Sequence, residues 1–463
     1  MAKKRHAAKH DPSPHRKSPA ASAAPAPRPL FSRVLEWIAA ALLFLVVLGT
    51  SLAVDPKAYA SFDAPKRLIG ACGAALAAFV VFGLARRSRP GPLRWRAIPL
   101  AARLTLVAAS AALAWATLSA FLSPDRAVAL DSLRVILLFG LLLPLGASAV
   151  VARRRNLLAG ALFAAAAGNA ILSLLQTRGI SPFRLQTYGA RNETGALAGN
   201  VGYLALSLAF AAVLALGILL AARSTAIRVA AAAALLLSLA GIFVNRNLTA
   251  IAALAIGGVV LVVTWFGRRS RWPVVAVVAA IAAGAVLVPP LRQRVGQAAG
   301  MVRRGEWDRL TTYRTGAWAA ALQMVRDRPL VGFGPGTYAA EFTPHRLVAE
   351  VRNRRRYVNP LLTSSYSEAH CDYLQAFAET GVPGGVAVLA AAAALFAAVG
   401  RRTAKGDPHR IEAAILLGLL AAGAAAALTW FPLQRPISAV PLLLAAGRSW
   451  RLAARLPGDS ESR

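Results

Sequence analysis

Long apolar runs with few charges recur along the chain. They stand at about 34–54, 68–85, 100–121, 130–151, 157–176, 198–222, 227–244, 248–266 and 273–290. After a polar interval they resume at 382–399, 411–431 and 436–450, the last and weakest interrupted by Pro441. At about 1.5 Å of rise per residue, a run of roughly twenty crosses a hydrocarbon layer of about 30 Å. A helix also satisfies its own backbone polar groups there. The pattern therefore predicts an all-α, polytopic integral membrane protein of about twelve transmembrane helices with one long helical loop. Its divisions are a basic tail at 1–32, nine helices in 33–290, the loop at 291–381, three helices in 382–452 and a short tail at 453–463.

Composition agrees with this class: the 463 residues are 57% hydrophobic, too apolar for an ordinary soluble enzyme. A formal charge of +34 invites a nucleic-acid reading, but its distribution argues against one. More than half of the 53 Lys and Arg fall in the leading tail, in alternate short connections and at the C-terminus. That is the positive-inside pattern. With the tail inside, the basic connections 86–96, 153–155, 223–228, 267–271 and 401–410 are cytoplasmic. Arg246, Arg435 and the loop carrying Arg314 and His370 then share the outer face. Residues 1–32 read as disordered. The triplet Ala58-Tyr59-Ala60 resembles a cleavage site, but so long a first apolar run favours a retained anchor. Cys72 and Cys371 are read as free thiols, and adjacency on a helix speaks against a Cys371–His370 pair.

Within the loop, Ser365 three residues before Glu368 forms a capping box, and Gly381 with Pro383 is a stop signal. Together they predict a helix of about four turns with His370 near its start. There the helix dipole disfavours an imidazolium, so the ring is expected neutral and able to accept a proton. A second helix is expected from Thr312 to Asp327, with an apolar stripe of Ala317, Trp318, Ala321, Leu322 and Val325. Arg314 lies one turn before Trp318; its segment alone favours a solvated side chain. Gly332-Phe-Gly334-Pro-Gly336 lacks Gly-Lys-Ser/Thr and reads as a tight turn, not a nucleotide loop. The histidines lack metal-ligand spacing, and no metal or cofactor is called for. Asp131 and Arg134, three apart in a span, are a site candidate and equally a snorkelling structural pair.

What the outer face offers is a histidine and several arginines. Arginine donates two parallel hydrogen bonds to phosphate oxygens and keeps its charge. A neutral histidine can take a hydroxyl proton. This set is sufficient for glycosyl transfer from a lipid pyrophosphate without a metal.

His370-Cys-Asp-Tyr-Leu-Gln-Ala-Phe-Ala-Glu379-Thr-Gly381-Val-Pro-Gly384, preceded by Arg314-Thr-Gly-Ala-Trp318 and Pro329-Leu-Val-Gly332-Phe-Gly334-Pro-Gly336, resembles the O-antigen ligase and polymerase superfamily. Asn245-Arg246-Asn247 stands where that family has a Ser-Arg pair, Gly199-Asn200 resembles its asparagine element, and Phe431-Pro432 its outer turn. The resemblance spans roughly 130–450. It implies a GT-C-like glycosyltransferase of the bacterial inner membrane acting at the periplasmic face. The donor would be glycan on undecaprenyl pyrophosphate, and the acceptor a hydroxyl of lipid A-core or another glycan, with membrane lipid and no nucleic acid as further partners. By that similarity His370 activates the acceptor while Arg246 and Arg314 hold the pyrophosphate, with Arg435, Asn200 and Glu379 as further substrate-binding candidates. A ligase is the first reading. A polymerase or protein O-oligosaccharyltransferase differs only in acceptor. A transporter or lipid flippase would place ionisable residues in the middle of several spans, and few are seen.

Overall fold

The computed structural model describes residues 29–58, 60–88, 95–182, 193–269, 272–276, 279, 283, 287, 289–352 and 366–456, and the regular elements among them are all helical. In chain order they are α1 (Leu30–Leu52), α2 (Ala64–Ser88), α3 (Leu100–Phe121), α4 (Arg126–Gly140), α5 (Leu142–Gly146), α6 (Ala149–Gln176), α7 (Val201–Ala221), α8 (Thr225–Asn245) and α9 (Leu248–Phe266). The polar interval supplies α10 (Pro289–Arg303), α11 (Arg314–Asp327) and α12 (Tyr338–Arg352). The chain closes with α13 (Asp372–Gly400), α14 (Arg410–Ala427) and α15 (Pro436–Ala454). Asp125, Ser148, Asn200 and Asn247 start four of these helices by accepting a first-turn N–H on their side chains.

Ten helices among the described residues are long and apolar enough to cross a membrane, so the chain is a multi-pass membrane protein. Two of the twelve expected spans are not among them. The one at 273–290 lies for the most part outside the described residues. The other is α15, a helix of 19 residues that carries Arg448 and Arg451. It tolerates them because it stands inside the bundle against α1, α3, α5, α13 and α14, where Arg448 pairs with Glu412 at 2.7 Å and Arg451 donates to the Ala147 carbonyl at 3.1 Å. The other core helix is α7, apolar on every side and buried from Leu204 to Val213.

Side-chain ties define two ends. At one, Glu36 pairs with Arg153 and Arg154, Glu412 with Arg155 and Arg448, and Trp450 donates to the Ala102 carbonyl. Arg153–Arg155 were expected in a connection but sit inside α6, which kinks at Arg154 to reach these carboxylates. At the other end Lys66 donates to the Ala53 and Leu197 carbonyls, Arg435 pairs with Asp63, Thr249 meets Thr429, and Ser123 donates to the Phe333 carbonyl. Asp131 and Arg134 form a 2.6 Å pair on an exposed face.

The polar interval differs from expectation in four respects. It contains α12, whose Tyr338 and Phe342 are fully buried against α11. The buried face of α11 is Ala317, Ala320, Ala321 and Met324, while Leu322 is exposed, because the alanines let α12 approach closely. The helix expected from a capping box at Ser365 begins instead at Asp372, with Cys371 at its N-cap. Ser365 lies outside the described residues, and the Glu368 carboxylate is drawn away to Arg435. Nor does the helix stop at Gly381: it kinks there and continues as a span.

Candidate active site

The site is built where α13 begins. His370 stands two residues before the helix, in the left-handed region with φ 54°. That conformation costs a non-glycine residue free energy and persists only where neighbours impose it. Here they do. The Ala369 N–H donates to Gln375 Oε1 at 3.0 Å, Gln375 Nε2 donates to Glu379 Oε1 at 2.9 Å, and Trp318 Nε1 donates to the His370 carbonyl at 3.4 Å. Glu379 also receives the N–H groups of Gly336 and Tyr338, which moors the 332–338 turn to α13.

The imidazole Nδ1 lies 3.0 Å from the Glu368 carbonyl oxygen. A carbonyl only accepts, so Nδ1 carries the proton and Nε2 keeps the lone pair. Three aromatic rings meet this ring edge to face: Phe431 at 4.8 Å, Tyr366 at 4.9 Å and Trp430 at 5.5 Å between centroids. Burial in this box lowers the His370 pKa, the Arg314 guanidinium lowers it further, and Arg435 adds to both. The Glu368 carbonyl acts in the opposite sense, and the result is about 4. His370 is thus neutral at pH 7 as expected, but for a different reason: it is not in the first turn of a helix.

Arg314 is the first residue of α11, a cation at the positive end of a helix dipole. Consecutive left-handed residues, Thr312 at φ 58° and Tyr313 at 63°, turn the chain into it. Local conflicts of this kind concentrate at functional sites. Its guanidinium lies over the Trp430 ring, 4.7 Å from the centroid, and donates to the Thr429 carbonyl at 2.9 Å, so it is not simply solvated.

The other candidates arrange themselves around this pair. Arg246 is exposed and left-handed, φ 50°, between α8 and α9. Its neighbours hold it there: Asn245 donates to Ser173 Oγ at 3.0 Å, and Asn247 caps α9. Thr249, one turn on, meets Thr429 at 3.2 Å, which places the Arg246 segment beside the contact of Arg314. Arg435 is engaged by two carboxylates, Asp63 at 2.8 Å and Glu368, and lies over the rings of Tyr203 and Phe431. Asn200 spends its side-chain oxygen on the Gly202 N–H at 2.7 Å. Glu379 is buried behind His370, its carboxylate occupied by Gln375 and the turn.

The residue that sequence reasoning missed is Trp430. It stacks on Phe431 with centroids 4.9 Å apart and touches His370, Arg314 and Tyr203. It was counted as the end of an apolar span; the signal that could have found it is a Trp-Phe pair directly before Pro432.

Residues 210–389 match a family model described as O-antigen ligase. The matched segment includes Arg246, Arg314, His370 and Glu379, begins after Asn200 and ends before Trp430 and Arg435. A search of curated proteins gave no match.

Proposed function

From the premise that this chain belongs to the O-antigen ligase superfamily, with the ligase- or polymerase-type membrane function of that family, we propose that it is an O-antigen ligase of the bacterial inner membrane. Its donor is polysaccharide on undecaprenyl pyrophosphate, its acceptor a hydroxyl of lipid A-core, and its reacting face periplasmic. The observation that carries this is the neutral imidazole in an aromatic box whose Trp430 wall also holds Arg314.

In this reading Nε2 of His370 takes the acceptor hydroxyl proton as that oxygen attacks the anomeric carbon. The bond to the leaving diphosphate breaks with its electron pair on the phosphate oxygen, where Arg314 and Arg246 stabilise the charge. Arg435 takes a different part from the one expected. Already balanced by Asp63 and Glu368, it fixes the segment whose carbonyl sets the His370 tautomer. Asn200 and Glu379 likewise shape the walls.

The test is transfer in vitro from a lipid-linked glycan to rough lipopolysaccharide by purified protein. His370→Ala is expected to lower turnover by about a hundredfold or more with the fold intact. Retention of full transfer by that variant overturns the assignment. Wild-type protein that lengthens lipid-linked glycan but leaves lipopolysaccharide bare is a polymerase instead.

A further inference from the structure

The Trp430 side chain holds an unexplained donor. Its ring is 9% exposed, and its indole N–H has no hydrogen-bond partner among the described residues. A buried donor left unmade is uncommon in a native fold and calls for a reason. One guanidinium lies on this ring, and the ring is tightly packed. Arg314 covers one region of the ring at 4.7 Å. The six-membered edge that adjoins the nitrogen is turned to the first turn of α7: a Cβ built on Gly202 would lie 2.5 Å from Cζ2 and 2.8 Å from Cη2 of Trp430.

That first turn is itself an anion-favouring element. A helix start leaves N–H groups without intrahelical acceptors, and α7 is a long helix with the positive end of its dipole here. The Asn200 side chain caps the Gly202 N–H. Tyr203, the third residue of the helix, lies under the Arg435 guanidinium at 4.9 Å. Of the carboxylates on the neighbouring segments, Asp63 and Glu368 are engaged by Arg435, and Asp372 accepts the Leu433 N–H at 3.0 Å.

We infer that the Trp430 indole N–H and the first turn of α7 form a second oxyanion subsite, which takes a phosphate oxygen of the lipid diphosphate while Arg314 holds the same group from across the ring. An indole nitrogen only donates, so its partner must be an acceptor, and the Arg314 guanidinium on the same ring selects a charged one. Gly202 lacks a side chain because Trp430 must lie directly against the helix start. The subsite rests on the ligase reading above and deepens it: it makes Trp430 a binding residue.

The test uses full-length protein in nanodiscs and undecaprenyl diphosphate as the probe. Trp430→Phe keeps an aromatic wall and removes the donor. Replacement of Trp430 by benzothienylalanine keeps the size and shape of the indole as well, so packing loss is separated from donor loss. Each is expected to weaken diphosphate binding about tenfold. The benzothienyl protein without ligand should unfold at the same temperature as wild type or a higher one, since the buried donor is gone. A purely structural tryptophan gives the opposite pattern, lower thermal stability with unchanged affinity. Wild-type binding matched by the benzothienyl protein overturns the subsite and leaves the ligase reading standing. A wild-type protein that ignores the diphosphate overturns both.

Discussion

At the scale of single residues, proton affinity and charge decide what the site can do. His370 is held low by burial and by Arg314 and Arg435, with the Glu368 carbonyl in opposition. The sign follows. Between the folded value of about 4 and the ordinary 6.5, the unfolded chain binds a proton that the folded one does not. His370 therefore opposes folding progressively as pH falls through that window and has no such effect above it. The pH profile of kcat/KM, which reports the free enzyme, should keep its acid limb near 4 and not near 6.5. In the proposed reaction a bound diphosphate offsets the Arg314 guanidinium, so the limb in kcat is expected at higher pH. Coincident limbs near 6.5 in both profiles would contradict the cationic, buried setting of the ring. Arg314→Lys is a second test at this scale. An ammonium cannot lie flat on Trp430 and also fork to a phosphate. We expect a loss of at least tenfold in kcat/KM; equal rates for the two side chains would remove Arg314 from the diphosphate.

Secondary-structure elements determine whether those residues meet. The decisive one is the kink in α13, where Gly381 adopts φ 69° and ψ −179°, a conformation reserved in effect for glycine. A Cβ there would run into the Leu330 carbonyl. Around the kink the Phe333 N–H donates to Ala378 O at 3.2 Å, the Gly334 N–H to Glu379 O at 2.8 Å, and the Val382 N–H to Pro329 O at 2.7 Å. Gly381→Ala is expected to destabilise by about 3 kcal/mol or more, strain and collision together. Thermal unfolding in detergent checks it, and a melting temperature within a degree of wild type would mean that the kink is not needed. The Gly-Val-Pro stretch was legible as a break, because glycine and proline act locally. The span that follows at 382–399 was legible too; that the loop helix runs into it as one kinked helix was not, since contact with the 329–334 turn holds the kink.

Over the whole molecule, the proposed function requires that the connections carrying His370, Arg314, Arg246 and Arg435 open on one side of the membrane, and the 401–409 connection is expected on the other. Cysteines introduced one at a time test this in a Cys72→Ala background, since Cys72 is exposed and the other native thiol, Cys371, is buried. A cysteine at Arg309 should react with an impermeant maleimide added to intact spheroplasts, and one at Lys405 only after lysis; both positions are exposed. Labelling of both from the same side would dissolve the proposed site. α15 makes a related point: a helix held inside the bundle keeps Arg448 and Arg451 buried because the bundle supplies their partners.

Hydrophobic periodicity was enough to establish the all-helical, multi-pass class, and the spread of arginines to put His370, Arg314 and Arg246 on one expected face, because both depend on the cost of polar groups in hydrocarbon. The roles of those residues came from the resemblance of their motifs to a family. Tertiary structure alone decided that Arg435 is neutralised by Asp63 and Glu368, that Glu379 is a mooring and Asn200 a cap, and that Trp430 joins the histidine to the arginine. Those outcomes depend on which loops meet across hundreds of residues, and a side chain records its own chemistry but not the partner that will consume it.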